Sequence, residues 1–330
     1  MRKENIRLIL ILVVCLAFVN CHKSYKKLKT IQVDSLSFAN FSMPFAITAS
    51  ENYLYLADMK NQTIYKIKDG KIIKEFSRIG KGPGEFITPY GIKYHQQKIF
   101  LLDRSLLRIS VFTEDFEFLS SFTLESKPNA FSLSDNYIFV NTLTGEKEIT
   151  VYSHEGKLIK KIDLVANKHS NLIHNSINAI YDETNNSLIC GLLKTNKVVV
   201  LNESFEKTDT WSYNSLIPDV KSEYREKNNK WQLSAGSVFC SDLLLFKDKL
   251  MLLSGGGFTG SQKSRKHIQN MKYFLHILNK EGIAAFELNL PVENFLGYKF
   301  TILNKRIYFI SPAHTKIYCT SLAEINHNIF

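Results

Sequence analysis

The residues of this chain that could do chemistry are mostly basic and aromatic, and they gather in its least regular segments. Arg78 and Lys81 border a glycine-rich stretch, Tyr224, Arg225 and Trp231 lie in a polar stretch from Asn214 to Ser237, and Lys263, Arg265, Lys266 and His267 lie between Gly255 and Asn270, where no acid occurs. Guanidinium and ammonium groups edged by aromatic rings suit an anionic sugar, a peptide carboxylate or an acidic protein surface. Catalytic patterns are harder to find. The run Gly255-Gly256-Gly257-Phe258-Thr259-Gly260 continues into Ser261-Gln262, without the lysine and hydroxyl of a phosphate loop. Gly80-x-Gly82-x-Gly84 has the wrong spacing for a dinucleotide fingerprint and lies between strands. His169 and His174 have no glutamate between them and do not share a helical face, which excludes a zincin site. No Gly-x-Ser-x-Gly elbow occurs. The sequence therefore names no catalytic residue, no metal set and no cofactor.

One cysteine stands apart. Arg2, Lys3 and Arg7 precede the apolar run Leu8 to Val19, a basic region followed by a hydrophobic one too short to span a bilayer comfortably. Directly after it, Leu16-Ala17-Phe18-Val19-Asn20-Cys21 resembles the lipobox of bacterial lipoproteins, with Asn20 departing from the usual small residue. That resemblance implies lipidation of Cys21, a signal peptide over residues 1–20 and a basic tether over 21–27. The alternative is a retained signal-anchor or a different cleavage point, with Cys21 a bystander. Several acyl chains at about 0.8 kcal/mol per buried CH₂ hold a protein firmly to a membrane. The expectation is an exported protein anchored in the cell envelope, and the basic tether favours its periplasmic side. Cys190, Cys240 and Cys319 each sit in an apolar strand-like context, where a free cysteine acts as a small buried hydrophobe.

The elements that must position these residues repeat. Pro44 to Ala49, Tyr53 to Ala57, Thr63 to Ile67 and Lys71 to Phe76 are four short strands rich in Ile, Tyr, Phe and Leu and bounded by Asn, Asp, Gly or Lys. Copies follow from Gly91 to Phe122, from Asn129 to Leu164, from Ile177 to Tyr213 and from Val238 to Leu290. Asp69-Gly70, Glu155-Gly156 and Glu281-Gly282 recur between strand runs, where glycine supplies the positive φ of a tight hairpin. A period of about 40–50 residues points to a propeller. The last copy, Tyr298 to Ser321, has three strands only, and the isolated piece Leu28 to Phe38 can supply the fourth, closing the ring and covering its sheet edges. The expected fold is all-β, a six-bladed β-propeller over residues 28–330, with five or seven blades as the alternative if an insert hides or mimics one.

Arg78-Ile79-Gly80-Lys81-Gly82-Pro83-Gly84-Glu85-Phe86, then Pro89-Tyr90-Gly91-Ile92 and Leu101-Leu102-Asp103-Arg104…Arg108-Ile109…Phe112, resembles the NHL-type repeat, and Ala57-Asp58…Asn61…Ile64 echoes it one blade earlier. With the lipobox, the chain resembles the six-bladed propeller lipoproteins of Gram-negative bacteria. The residues themselves read as architecture: glycines for a tight crossing between blades, Phe86 packed between sheets, and Asp58 and Asp103 accepting backbone N–H bonds at strand ends.

The formal charge of +11 is spread along the chain with no dense basic helix and no zinc-finger spacing, so a nucleic-acid partner is not expected. In a four-stranded blade, the turn between the second and third strands and the link to the next blade emerge on one face. All three unusual segments should therefore converge there. The expected function is an envelope-anchored, monomeric binding propeller with a basic, aromatic-edged face for an anionic glycan, peptide or protein. The alternative is a propeller hydrolase or lyase acting on a carbohydrate or lactone, distinguished by acidic and amide side chains meeting in the axial channel.

Overall fold

A computed structural model describes residues 29–37, 41–142, 148–164, 176–193, 195–213, 224–227, 230–233, 238–255, 273–279, 282–291, 298–312 and 314–325. Two short strands, β1 (Thr30–Ile31) and β2 (Asp34–Ser37), come first. Blade 1 is β3 (Pro44–Ala49), β4 (Leu54–Asp58), β5 (Thr63–Lys68) and β6 (Lys71–Phe76). Blade 2 is β7 (Pro89–His95), β8 (Lys98–Asp103), β9 (Arg108–Thr113) and β10 (Phe118–Thr123). Blade 3 is β11 (Pro128–Leu133), β12 (Tyr137–Thr142), β13 (Ile149–Ser153) and β14 (Leu158–Ile162). Blade 4 is β15 (Ile177–Asp182), β16 (Ser187–Leu192), β17 (Lys197–Leu201) and β18 (Lys207–Ser212). A hairpin, β19 (Tyr224–Lys227) with β20 (Lys230–Leu233), separates it from blade 5. Blade 5 is β21 (Val238–Phe246), β22 (Lys249–Gly255), β23 (Tyr273–Asn279) and β24 (Gly282–Leu288), and blade 6 is β25 (Lys299–Leu303), β26 (Arg306–Ile310) and β27 (Lys316–Ser321). A one-turn helix, α1 (Leu322–Ile325), ends the described chain.

The ring closes twice. β2 is the fourth strand of blade 6, antiparallel to β27 with Leu36 opposite Ile317. β1 runs parallel to β24 and gives blade 5 a fifth strand, with Ile31 opposite Leu288 and only 1% exposed. Covering two sheet edges with one N-terminal segment removes the unpaired N–H and C=O groups that would template aggregation.

The second strand of each blade shows why these sequences build a ring. Side chains alternate between the two sheet faces, and here both faces are buried. In β8, Ile99 and Leu101 pack toward blade 1 with Tyr55, Ile64 and Phe86, whereas Phe100 and Leu102 pack toward blade 3 with Phe131, Ile138 and Val140. The same division holds for β22, whose Leu250 and Leu252 face blade 4 and whose Met251 and Leu253 face blade 6. Six apolar clusters result, one at each interface between neighbouring blades. The outer strands β6, β10, β14 and β18 are mostly exposed and carry the Lys, Glu, Ser and Thr of the surface.

Candidate functional site

Two buried carboxylates tie the link face together. Asp58 Oδ1 accepts N–H bonds from Met43 (3.0 Å), Lys60 (3.1 Å) and Asn61 (3.0 Å), and its Oδ2 accepts from Ser42 (2.6 Å). One blade on, Asp103 Oδ1 accepts from Ser105 and Leu106 (both 2.9 Å) and Oδ2 from Ile87 (2.6 Å) and Thr88 (3.3 Å). Each carboxylate therefore binds the link arriving at its blade and the turn between the second and third strands. The two kinds of connection share one face, and neither aspartate has an oxygen left for a ligand.

The glycine-rich segment has the same architectural character. Phe86 is fully buried against Phe76 and is held by N–H donation to the Arg78 carbonyl (2.8 Å). Glu85 Oε2 accepts from Gly82 N–H (2.7 Å), occupying the space that a Cβ at Gly80 would need. Gly84 adopts a φ of +72° under Phe118. Arg108 donates to the carbonyls of Lys81 and Glu85.

A cleft of about 730 Å³ opens on this face, lined among others by Met43, Phe45, Met59, Tyr90, Arg104 and Lys127. The Arg104 guanidinium lies 4.5 Å from the Tyr90 ring centroid, and Tyr90 in turn packs on Phe45 with centroids 4.2 Å apart. Arg104 Nε is buried without a hydrogen-bond partner. No carboxylate among the described residues pairs with Arg104 or with the exposed Lys127. A guanidinium held over an aromatic ring keeps N–H groups available to an acceptor. Burial pushes the Tyr90 hydroxyl above its usual range, with Arg104 opposing the shift, so the ring stays a neutral platform.

Below the cleft runs the axial channel, a cavity of about 320 Å³ lined by the first strands of all six blades. Phe45 and Tyr90 line both spaces. Asp242 in the channel accepts from Phe300 N–H (2.9 Å) and lies 3.7 Å from the Lys299 ammonium, which also donates to the Ser241 carbonyl (2.6 Å). Asn178 donates to the Cys240 carbonyl (2.9 Å) and Asn141 to that of Ile177 (2.5 Å). Among the described residues no group of His, Cys, Asp and Glu could hold a metal ion.

Of the residues expected to form a binding face, Arg78 and Lys81 are exposed on the link between blades 1 and 2, and neither lines the cleft. Tyr224, Arg225 and Trp231 lie on the β19–β20 hairpin, where Glu226 pairs with Trp231 and Arg225 with Gln232; nothing is described of their side chains. Lys263, Arg265, Lys266 and His267 lie outside the described residues, as do Cys21, His169 and His174. The flanking strands β22 and β23 nonetheless open toward the link face at Gly255 and Tyr273.

Sequence reasoning missed Arg104, Tyr90, Lys127, Lys93 and Lys299. Arg104 and Tyr90 were in view as members of a structural motif. What could have singled out Lys93 is its place: in Pro44-Phe-Ala-Ile-Thr48, Pro89-Tyr-Gly-Ile-Lys93 and Pro128-Asn-Ala-Phe-Ser132, the position four after proline is polar each time.

Two other groupings are accounted for by packing. Ser254 Oγ lies 2.9 Å from His276 Nε2, but both are fully buried and no carboxylate orients the imidazole, whose Nδ1 has no partner. Burial alone lowers the His276 pKa to about 4. Cys190, Cys240 and Cys319 are free and buried; burial pushes the Cys190 and Cys240 thiols far above their usual range, so these two are inert hydrophobes, whereas Cys319 Sγ accepts from Arg306 (3.0 Å).

Comparison with known proteins agrees with the ring. Among solved structures, the chain is similar to a member of the DUF4221 family from Bacteroides vulgatus, with a TM-score of 0.55 and 11% identity over 88% of this chain and 97% of that one. A streptogramin B lyase structure superposes with a TM-score of 0.55 and 16% identity over 87% and 96%. A putative exported protein from Bacteroides fragilis does so with a TM-score of 0.56 and 12% identity over 85% and 87%. At such identities the likeness is one of fold. No curated protein matches by sequence. The profile of the TolB-like six-bladed propellers matches residues 23–189, half of the chain, and with six blades in place the chain belongs to that family.

Proposed function

We propose that this chain is a binding propeller whose link face holds an anionic ligand, anchored in the envelope of a Gram-negative bacterium through Cys21. The observation that carries the reading is the Arg104 guanidinium, held over Tyr90 in an open, partly apolar cleft with no carboxylate beside it among the described residues. A carboxylate or sulfate arriving there gains a charge-assisted, planar contact, and Met43, Phe45 and Met59 offer apolar surface to what carries it. Among its described lining residues the cleft has no imidazole, carboxylate or thiol, which favours binding over the hydrolase or lyase reading. Lipid anchoring and the NHL-like lipoprotein assignment rest on the lipobox resemblance and the Gly-Lys-Gly-Pro-Gly-Glu-Phe segment.

The test is a panel of immobilised oligosaccharides and peptides, each with and without its carboxylate or sulfate, probed with the full-length protein in detergent. Binding confined to the acidic members, and weakened at least tenfold by Arg104→Ala, is expected. Equal binding to both sets, or turnover of a panel member, would overturn the reading. Labelling with an alkynyl fatty acid, lost in Cys21→Ser, checks the anchor.

A further inference from the structure

We infer that the axial channel contains a second, inner anion site, centred on Lys93 and suited to a small oxyanion that also carries a hydroxyl, such as phosphate. Four chargeable side chains face the channel among the described residues: Lys93, His95, Asp242 and Lys299. Asp242 and Lys299 are committed to each other and to the backbone of blades 5 and 6. His95, near the far end, is set against Asp135 at 3.2 Å and stacked on His154, and burial holds its imidazole below the usual range, so it is neutral at pH 7. Lys93 is left over. Among the described residues no hydrogen bond or ion pair reaches its ammonium, although burial and the neighbouring Lys299 both disfavour the charge and Asp242 only partly offsets them. Lys93 is half-buried, and a charge drawn partly out of water is costly without a counter-ion.

Neutral groups in the same channel complete the pattern. Among the described residues, Ser132 Oγ, on a residue 5% exposed, and Asn141 Oδ1, on a residue 2% exposed, both lack a partner. Asn141 has already committed its amide N–H to Ile177, so its oxygen asks for a donor, whereas Ser132 can donate. Buried polar groups left unpaired are rare and call for an explanation. An anion with both acceptor oxygens and an O–H answers all three. Thr48, Lys93 and Ser132 occupy equivalent places on adjacent first strands, so the chemistry is set by fold geometry. Lys93 lies three residues beyond Tyr90 on β7, roughly 10 Å deeper at the rise of a strand. The inner site is thus distinct from the Arg104 cleft and does not depend on it.

Isothermal titration calorimetry of the full-length protein with inorganic phosphate, and with sulfate at matched ionic strength, tests the inference. Phosphate should bind saturably and more tightly than sulfate, which has no O–H at neutral pH to offer Asn141. Because the Arg104 cleft can itself take an oxyanion, the series is run in an Arg104→Met background. Lys93→Met, nearly isosteric, should there fold with unchanged circular dichroism and bind phosphate at least tenfold more weakly. Lys93→Arg should retain binding within about threefold. Phosphate binding that survives Lys93→Met in that background, or is absent from it while Lys93 is intact, overturns the inner site. The acidic-ligand panel, read on protein with Arg104 intact, is a separate measurement.

Discussion

The finest decisions in this protein are made by single side chains that look alike in sequence and differ in what surrounds them. Asp103 satisfies four backbone N–H groups, and removing it strands them in a buried place. Asp103→Ala should cost about 3 kcal/mol by chemical denaturation, and Asp103→Asn nearly as much, because its NH₂ would face donors. His276 gives a pH signature. Its folded pKa of about 4 lies below the ordinary 6.5, so the unfolded chain takes up a proton that the folded one refuses. This site contributes its full stability above pH 6.5 and loses it as pH falls toward 4, by about 3 kcal/mol in all. Denaturation midpoints across that range should show the loss, and His276→Gln should remove this component. Arg104 and Lys93 differ from these residues in having no carboxylate partner among the described residues, which is why the two proposed sites are built on them.

At the scale of elements, turns and closing strands hold the blades in register. In the outer turns, Thr113, Ser153 and Asn202 each accept two backbone N–H bonds. A left-handed residue follows, Phe116 in blade 2, Gly156 in blade 3 and Phe205 in blade 4, and the two rings turn inward to pack at 3% and 8% exposure. Gly156 has a φ of +85° beneath Phe122, whereas Gly70, at +73°, has open space around it. Gly156→Ala should therefore destabilise by roughly 2–3 kcal/mol and Gly70→Ala by about 1 kcal/mol in parallel thermal melts. Ile31 fixes the closing segment, and Ile31→Ala should cost about 2–4 kcal/mol by the same measurement. The strands, the glycine turns and the closing strand were legible in sequence, because two-faced burial makes each second strand an apolar run. The left-handed conformation of Phe116 and Phe205 was not, since a phenylalanine in that region carries no local signal and is held there by tertiary packing.

For the whole molecule, the ring brings together residues far apart in sequence. Pro312 of blade 6 and Lys127 ahead of blade 3 line one cleft, and Lys93 and Lys299 share one channel. No local pattern reports such convergence, so Arg104, Lys127 and Lys93 came into view only with the fold. Among the described residues no helix is long and apolar enough to cross a membrane. The central claim is that the link face receives an anion at Arg104. A crystal structure of the protein with the tightest acidic member of the panel is the direct measurement. The account predicts its carboxylate or sulfate within hydrogen-bonding distance of the Arg104 guanidinium, over Tyr90. A ligand seated on the opposite face, near His95 and His154, or with its anionic group turned to solvent, would contradict it.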